Sequence, residues 1–148
     1  MKVADIMTKE VKSISPDTNA IEALDLLFEM EISGLPVIDE RGKLVGMFTE
    51  KDILTGILPS YMEKVGSFIY QDNPKALKQK IINMRGVKVK EMMRRNVITV
   101  NEDANLCEAA RVMLIQKARR LPVLNQAKEV VGIVSRGDIV KALFQESS

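Results

Sequence analysis

The chain has 148 residues, 46% of them apolar, enough to bury a core of its own without metal or disulfide. It has no histidine and one cysteine, Cys107. That excludes Ser-His-Asp and Cys-His nucleophile chemistry, histidine metal sites, cysteine-cluster metal sites and an internal disulfide. The formal net charge is only +2, so charge alone points to no polyanionic partner, and with four Phe, two Tyr and no Trp the core must be aliphatic.

The elements repeat. Shifting the sequence by 86 positions lays Leu35-Pro36-Val37 on Leu121-Pro122-Val123, Val45-Gly46 on Val131-Gly132 and Asp52-Ile53 on Asp138-Ile139. The same shift pairs Met7 with Met93, Val11 with Val97, Asp17 with Asp103 and Glu22-Ala23 with Glu108-Ala109. Residues 3–54 align without a gap, and 14 of the 52 pairs are identical, which implies two copies of one structural unit.

In chain order, a short helix at Val3–Met7 leads into a strand at 11–15 that Pro16 ends. Asp17 or Thr18 can cap a helix to about Glu31, with Ile21, Leu24, Leu27 and Phe28 on its apolar face. Leu35 to Ile38 is an apolar strand whose proline suggests an edge or first-residue position. Asp39 to Gly42 is a turn, Lys43 to Phe48 the return strand, and Thr49 opens a helix to about Leu58. The next segment, Tyr61 to Arg85, is mostly helical and broken near Gln71-Asp72-Asn73-Pro74. The second copy runs through a short helix at Val87–Met93, strand 97–100, helix 104–117, strand 121–125, strand 129–134 and helix 136–145. The expected fold is therefore α/β (α+β), β-α-β-β-α twice, on a pseudo-twofold axis. The first unit is 1–58, a helical linker 59–86 and the second unit 87–148. A copy of about 55 residues buries its apolar faces poorly alone, so the two are expected to cover each other.

One repeated element carries chemistry: Gly46-Met47-Phe48-Thr49-Glu50-Lys51-Asp52 and Gly132-Ile133-Val134-Ser135-Arg136-Gly137-Asp138. Hydroxyl and carboxylate three residues apart have capping-box spacing and can simply start a helix. The same helix N-terminus, with a hydroxyl and exposed N–H groups, also attracts phosphate, and the Asp can accept hydrogen bonds from a ribose diol. The two readings are compatible.

With Asp5-Ile6-Met7 and Glu91-Met92-Met93 leading the copies, the two Leu-Pro-Val strands and the two G-x-x-[ST]-x-x-D elements, the sequence resembles paired cystathionine-β-synthase-type (CBS) domains, the Bateman module. The resemblance implies a regulatory module, not an enzyme, that binds adenosine derivatives in clefts between the two copies. It assigns Ser33, Gly34, Leu35, Thr49 and Asp52 to one site, with Val97, Ile98 and Thr99 opposite. The other takes Arg119, Arg120, Leu121, Ser135 and Asp138, with Val11, Lys12 and Ser13 opposite. Arginine forks suit phosphate oxygens, so the second site is the better candidate for AMP, ADP or ATP. The first has Ser33-Gly34 at that place; it is empty, prefers adenosine or S-adenosylmethionine, or borrows Arg119. The alternative for Arg119-Arg120 is an exposed basic helix end. The resemblance further implies a disc-like homodimer, a separate effector protein, an adenine nucleotide as regulatory ligand and no catalytic cofactor.

Other features carry less. Residues 3–54 hold 5 basic and 11 acidic side chains and residues 87–148 hold 11 and 7, which would favour an antiparallel dimer, though only weakly. Arg94-Arg95 lack interleaved aromatics and read as a solvated turn, not a nucleic-acid footprint. Nucleic-acid binding or a purely structural dimerisation role are the alternatives to ligand sensing. An enzyme acting on nucleotides would need a second convergent carboxylate, lysine or metal cluster beside Asp52 or Asp138. Met7, Met30, Met92, Met93 and Met113 fit core positions, and Cys107 aligns with Ile21 as a buried small hydrophobe. Tyr61, Phe68, Ile69 and Tyr70 offer either a contact surface or internal packing. Residues Met1 to Asp5 lack the apolar run of an export signal, and no apolar stretch reaches 18 residues, so a cytoplasmic location without membrane contact is expected.

Overall fold

A computed structural model describes residues 1–56, 78–79 and 82–147. The expected helical linker, its break near Pro74 and the aromatics Tyr61, Phe68 and Tyr70 lie outside the described residues. The chain packs as two α/β units that do not follow the linear repeats. One comprises Met1–Lys12, Glu40–Leu44 and Asn96–Ser148, and the other Ser13–Asp39 and Val45–Arg95. The leader of each copy thus belongs to the core of the other.

In the 13–95 unit, α1 (Ala20–Met30) precedes β1 (Gly34–Ile38) and β2 (Leu44–Thr49), which form a two-stranded sheet. Helix α2 begins directly after β2 and is described over 50–56. A single 3-10 turn, Val89–Glu91, is all that forms of the helix expected at 87–93. Its Val89 is fully buried with Ala23, Leu27, Leu35, Val37 and Phe48. In the other unit, β3 (Val100–Asn101), α3 (Leu106–Gln116), β4 (Arg120–Leu124), β5 (Val130–Ser135) and α4 (Arg136–Ser147) repeat that order. The 3-10 turn Val3–Asp5 supplies the equivalent plug, with Val3 fully buried among Ala109, Leu121, Val123 and Val134. Burying one such valine contributes about 1.5–3 kcal/mol.

The exchange is bonded reciprocally. Val3 N donates to Ala104 O at 2.8 Å, and Val89 N to Thr18 O at 2.8 Å, one repeat apart. Thr8 exchanges two bonds with Ile133 (2.9 and 3.0 Å), and Arg94 exchanges two with Met47 (both 2.9 Å). Each crossing passes over a glycine. A Cβ on Gly46 would stand 2.6 Å from Met93 Sδ and 2.9 Å from the Arg94 carbonyl oxygen. On Gly132 it would meet Met7 Sδ and stand 3.0 Å from the Thr8 carbonyl oxygen. Salt bridges at the surface repeat the pattern: Lys2 to Asp103 at 3.4 Å, and Lys88 to Asp17 at 3.7 Å, reinforced by Lys90 to Asp17 at 3.1 Å.

Several sequence expectations change. Asn19 caps α1, its Oδ1 accepting from Ile21 N (2.9 Å) and Glu22 N (3.3 Å), so neither Asp17 nor Thr18 is the cap. Ser15 explains the shift: its hydroxyl accepts from Asp17 N and its carbonyl from Thr18 N, holding both in the preceding turn. The strand expected at 11–15 is reduced to one parallel bridge, Ile14 to Val37. Ile14 N donates to Pro36 O and Ile38 N to Ile14 O. The next donors in either direction are Pro36 and Pro16, which have no N–H. Position 102 is glutamate, whose N–H bonds Leu124 O at 2.9 Å, so β3 runs one residue longer. Neither proline marks an edge: β4, with Pro122, is the middle strand of the order β3-β4-β5, and β1 is flanked by β2 and Ile14.

The inner face of α1 is Ala20, Ala23 and Leu27, and Phe28 is 61% exposed instead of buried. Cys107 is exposed, because Leu106, Ala109 and Met113 form the inner face of α3 and Cys107 is turned away from it. Of the methionines expected inside, Met93 and Met113 are buried, Met7 and Met92 partly so, while Met30 at the end of α1 is 40% exposed. Arg94 and Arg95 are exposed, with Arg95 Nη2 donating to Lys90 O at 3.2 Å.

Substituting Gly46→Ala or Gly132→Ala forces a methyl against a methionine and a carbonyl. Each should cost about 1–3 kcal/mol in urea unfolding, whereas Gly86→Ala, with nothing within 4 Å of the added carbon, should not pay that packing penalty. The Lys90 and Lys88 ammonium groups hold the Asp17 carboxyl below its ordinary 3.8, first through the Lys90 hydrogen bond. A depressed carboxyl stabilises the fold above the unfolded-state value and loses that stabilisation as pH falls through the folded-state one. Asp17→Asn should therefore lower the urea midpoint at neutral pH, and the gap to the parent should close well below pH 3.8.

Candidate functional site

Both G-x-x-[ST]-x-x-D elements sit where a strand turns into a helix. In the 13–95 unit Thr49 ends β2 and its N–H donates to Asp52 Oδ2 at 2.8 Å, while Asp52 N returns a bond to Thr49 Oγ1 at 3.4 Å. Thr49 Oγ1 also donates to Asp52 Oδ2 at 3.2 Å. In the other unit Ser135 N donates to Asp138 Oδ2 at 3.0 Å and Asp138 N to Ser135 Oγ at 3.1 Å. The reciprocal bonds are a capping box. Only Oδ2 of each aspartate is used: among the described residues, Oδ1 of Asp52 and Oδ1 of Asp138 accept nothing. All four residues are partly buried, so a carboxylate oxygen stays within reach of solvent or a ligand.

The neighbouring strand delivers the remaining residues. Arg120 pairs with Ser135 across β4 and β5, and Arg136 N donates to Arg119 O at 2.9 Å. Arg119, Arg120 and the Ser135–Asp138 cap are thus one cluster, above the fully buried Leu121. The equivalent bond in the 13–95 unit is Glu50 N to Ser33 O at 3.4 Å. There a Cβ on Gly34 would stand 3.0 Å from Thr49 Cγ2, so Ser33, Gly34, Thr49 and Asp52 also form one cluster beside the fully buried Leu35.

Val11 and Lys12 belong to the same unit as the arginine cluster, and Ser13 opens the other unit. Val97, Ile98 and Thr99 lie in the unit that does not contain Ser33 and Asp52. Both tripeptides share one property: among the described residues, the backbone N–H and C=O groups of 11–13 and 97–99 make no hydrogen bond, although most of these residues are partly buried. The prolines that stop the strands leave these groups unclaimed. Partly buried backbone groups of this kind are ordinarily paired. The family pattern reaches these residues without showing that their backbone is unsatisfied. The signal for that lies in Pro36 and Pro122, which read locally as edge markers.

Among the described residues there is no group of three or more His, Cys, Asp or Glu able to hold a metal ion, and no helix long and apolar enough to cross a membrane.

The CBS-domain family model matches residues 3–59 and 89–145. The chain belongs to the CBS-domain family. It is 36% identical over 151 residues to the chloroplastic CBS domain-containing protein CBSX1 of Arabidopsis thaliana, covering 97% of this chain and spanning 64% of that protein. Among solved structures it is similar to CBSX2 in complex with AMP, with a TM-score of 0.74 at 32% identity over 99% of this chain and 98% of that one. It is also similar to the CBS domain pair of MJ0100 in complex with 5′-methylthioadenosine and S-adenosyl-L-methionine, with a TM-score of 0.69 at 31% identity over 97% and 99%.

The hydroxyl cap is itself testable. Ser135→Ala removes the acceptor for Asp138 N and should cost about 1 kcal/mol in urea unfolding, since the Asp138 half of the box remains.

Proposed function

We propose that the chain is a regulatory ligand-sensing module that binds adenosine nucleotides and reports their level to a separate effector protein, with no catalytic chemistry and no cofactor of its own. The repeats 1–58 and 87–148 are its two binding copies, joined by 59–86. The observation that carries the reading is the cluster of Arg119, Arg120, Ser135 and Asp138. Phosphate has arginine forks beside a helix N-terminus, and a ribose diol has Asp138 Oδ1. The unpaired backbone of Val11 and Lys12, in the same unit, offers the donor and acceptor pair that an adenine edge needs. AMP, 5′-methylthioadenosine and S-adenosylmethionine, held by the two similar structures, share adenosine and differ in the group on its 5′ carbon.

In the 1–58 copy Ser33, Gly34, Leu35, Thr49 and Asp52 keep the ribose carboxylate and lack the arginines. That copy suits adenosine or S-adenosylmethionine better than a nucleotide. The reading extends to a homodimer and to a cytoplasmic location. A second copy of the chain is supported by exposed apolar side chains at matched positions, Phe28 with Leu114 and Leu54 with Val140.

Isothermal titration of the chain with AMP, ADP, ATP, adenosine and S-adenosylmethionine tests the reading. Asp138→Ala should weaken the nucleotides about tenfold or more, the worth of a charged hydrogen bond, and Asp52→Ala should leave them nearly unchanged. If none of the five binds, or both variants bind like the parent, Thr49/Asp52 and Ser135/Asp138 are helix caps only.

A further inference from the structure

The two copies hold opposite charges at a position that neither packing nor helix capping requires to differ. The first residue of α4 is Arg136, and the first residue of α2 is Glu50, its counterpart 86 residues earlier. Both are exposed, and each backbone N–H makes the same bond, to Arg119 O and to Ser33 O. Among the described residues, no ion pair engages the side chain of Arg119, Arg136 or Glu50. Glutamate suits the positive end of a helix, and arginine there opposes the macrodipole. Arg136 thus breaks a local rule that Glu50 obeys, and such breaks concentrate where a residue serves something other than the fold.

By position, Arg119, Arg120 and Arg136 adjoin the Ser135–Asp138 cap. Ser33, Gly34 and the Glu50 carboxylate stand on the Thr49–Asp52 cap. A phosphate chain lowered onto the first set meets arginine at the helix start, beside the N–H groups. Lowered onto the second it meets a carboxylate at the helix start, where like charge offsets the attraction of the N–H groups.

Resting on the proposed adenosine-binding reading, we infer that residues 50 and 136 set the charge of the ligand each copy accepts. The Arg136 copy selects adenosine carrying a polyphosphate. The Glu50 copy rejects phosphate and takes adenosine whose 5′ substituent is neutral or cationic. One chain would then answer to two chemically different adenosine pools.

The test is titration of the full chain with adenosine, AMP, ATP and S-adenosylmethionine, on backgrounds that leave one copy active. With Asp52→Ala silencing the first copy, Arg136→Glu should weaken ATP about tenfold, AMP less, and adenosine hardly at all. With Asp138→Ala silencing the second, Glu50→Arg should strengthen AMP by a similar factor and weaken S-adenosylmethionine. Arg136→Glu also restores the favoured charge at a helix start, so urea unfolding should show no loss of stability, which separates lost affinity from lost fold. Equal weakening of adenosine and ATP by Arg136→Glu, or no gain of AMP by Glu50→Arg, overturns the inference and leaves the adenosine reading standing. Failure of every adenosine derivative to bind the parent chain overturns both.

Discussion

The structure depends on two crossings in which a leader strand lies over a glycine. At Gly46 the Met93 side chain and the Arg94 carbonyl occupy the space a Cβ would need, and at Gly132 Met7 and Thr8 do the same. The paired bonds of Thr8 with Ile133 and of Arg94 with Met47 fix the register of both crossings. Val3 and Val89 then plug cores built from the other repeat, and neither copy completes its hydrophobic core from its own residues. This answers the shortage of apolar surface expected of a unit of about 55 residues. Each unit borrows the missing side chains from a segment that is far away in sequence.

The crossings also decide what remains for a ligand. Pairing at Ile14 is confined to one bridge by Pro16 and Pro36, and pairing at Val100–Asn101 cannot extend back toward residue 98 because Pro122 supplies no donor. Among the described residues, the backbone of 11–13 and 97–99 makes no hydrogen bond, although most of these residues are partly buried. The same economy governs the helix starts. One oxygen of Asp52 or Asp138 closes the capping box and, among the described residues, the other accepts nothing, so a single residue can hold the helix and still face outward. On the proposed reading, capping and binding use different atoms.

Much of this is legible in the sequence, for identifiable reasons. The 86-residue offset, the Leu-Pro-Val strands and the capping-box spacing are local patterns, and both Leu-Pro-Val strands and both hydroxyl–carboxylate caps form where they point. What escapes is non-local. Met7 with Gly132 and Met93 with Gly46 are visible as repeated residues, yet nothing in the spacing says that each methionine packs on the other repeat's glycine. Asp17 and Asn19 are both good caps, and only the Ser15 turn decides between them. Phe28 and Cys107 look internal only when the apolar face is drawn a few residues too wide. Three residues, Ala20, Ala23 and Leu27 or Leu106, Ala109 and Met113, are enough to fill it. The candidate site residues are reachable from the family pattern, and the backbone that makes no hydrogen bond among the described residues is not. Hydrogen-bond absence is a property of the whole fold, not of any motif.

The two copies obey the repeat to different degrees, and the difference is itself informative. Positions that hold the backbone are identical or nearly so: Val3 and Val89, Asn19 and Asn105, Gly46 and Gly132, Asp52 and Asp138. Their bonds recur one repeat apart with lengths that agree within a few tenths of an ångström, as for Thr49 N to Asp52 at 2.8 Å and Ser135 N to Asp138 at 3.0 Å. Positions around the caps diverge in charge, at 33–34 against 119–120 and at 50 against 136, as do others along the copies, Asp25 against Arg111 and Lys43 against Glu129 among them. Around the caps, three differences of one sense fall on residues joined by the Arg136–Arg119 bond and the Arg120–Ser135 pairing. An exposed ion adds little to stability, so folding does not require these three. On the proposed reading, the local charge serves a bound group instead. The repeat preserves the capping frame, and the charge around it is what differs between the copies.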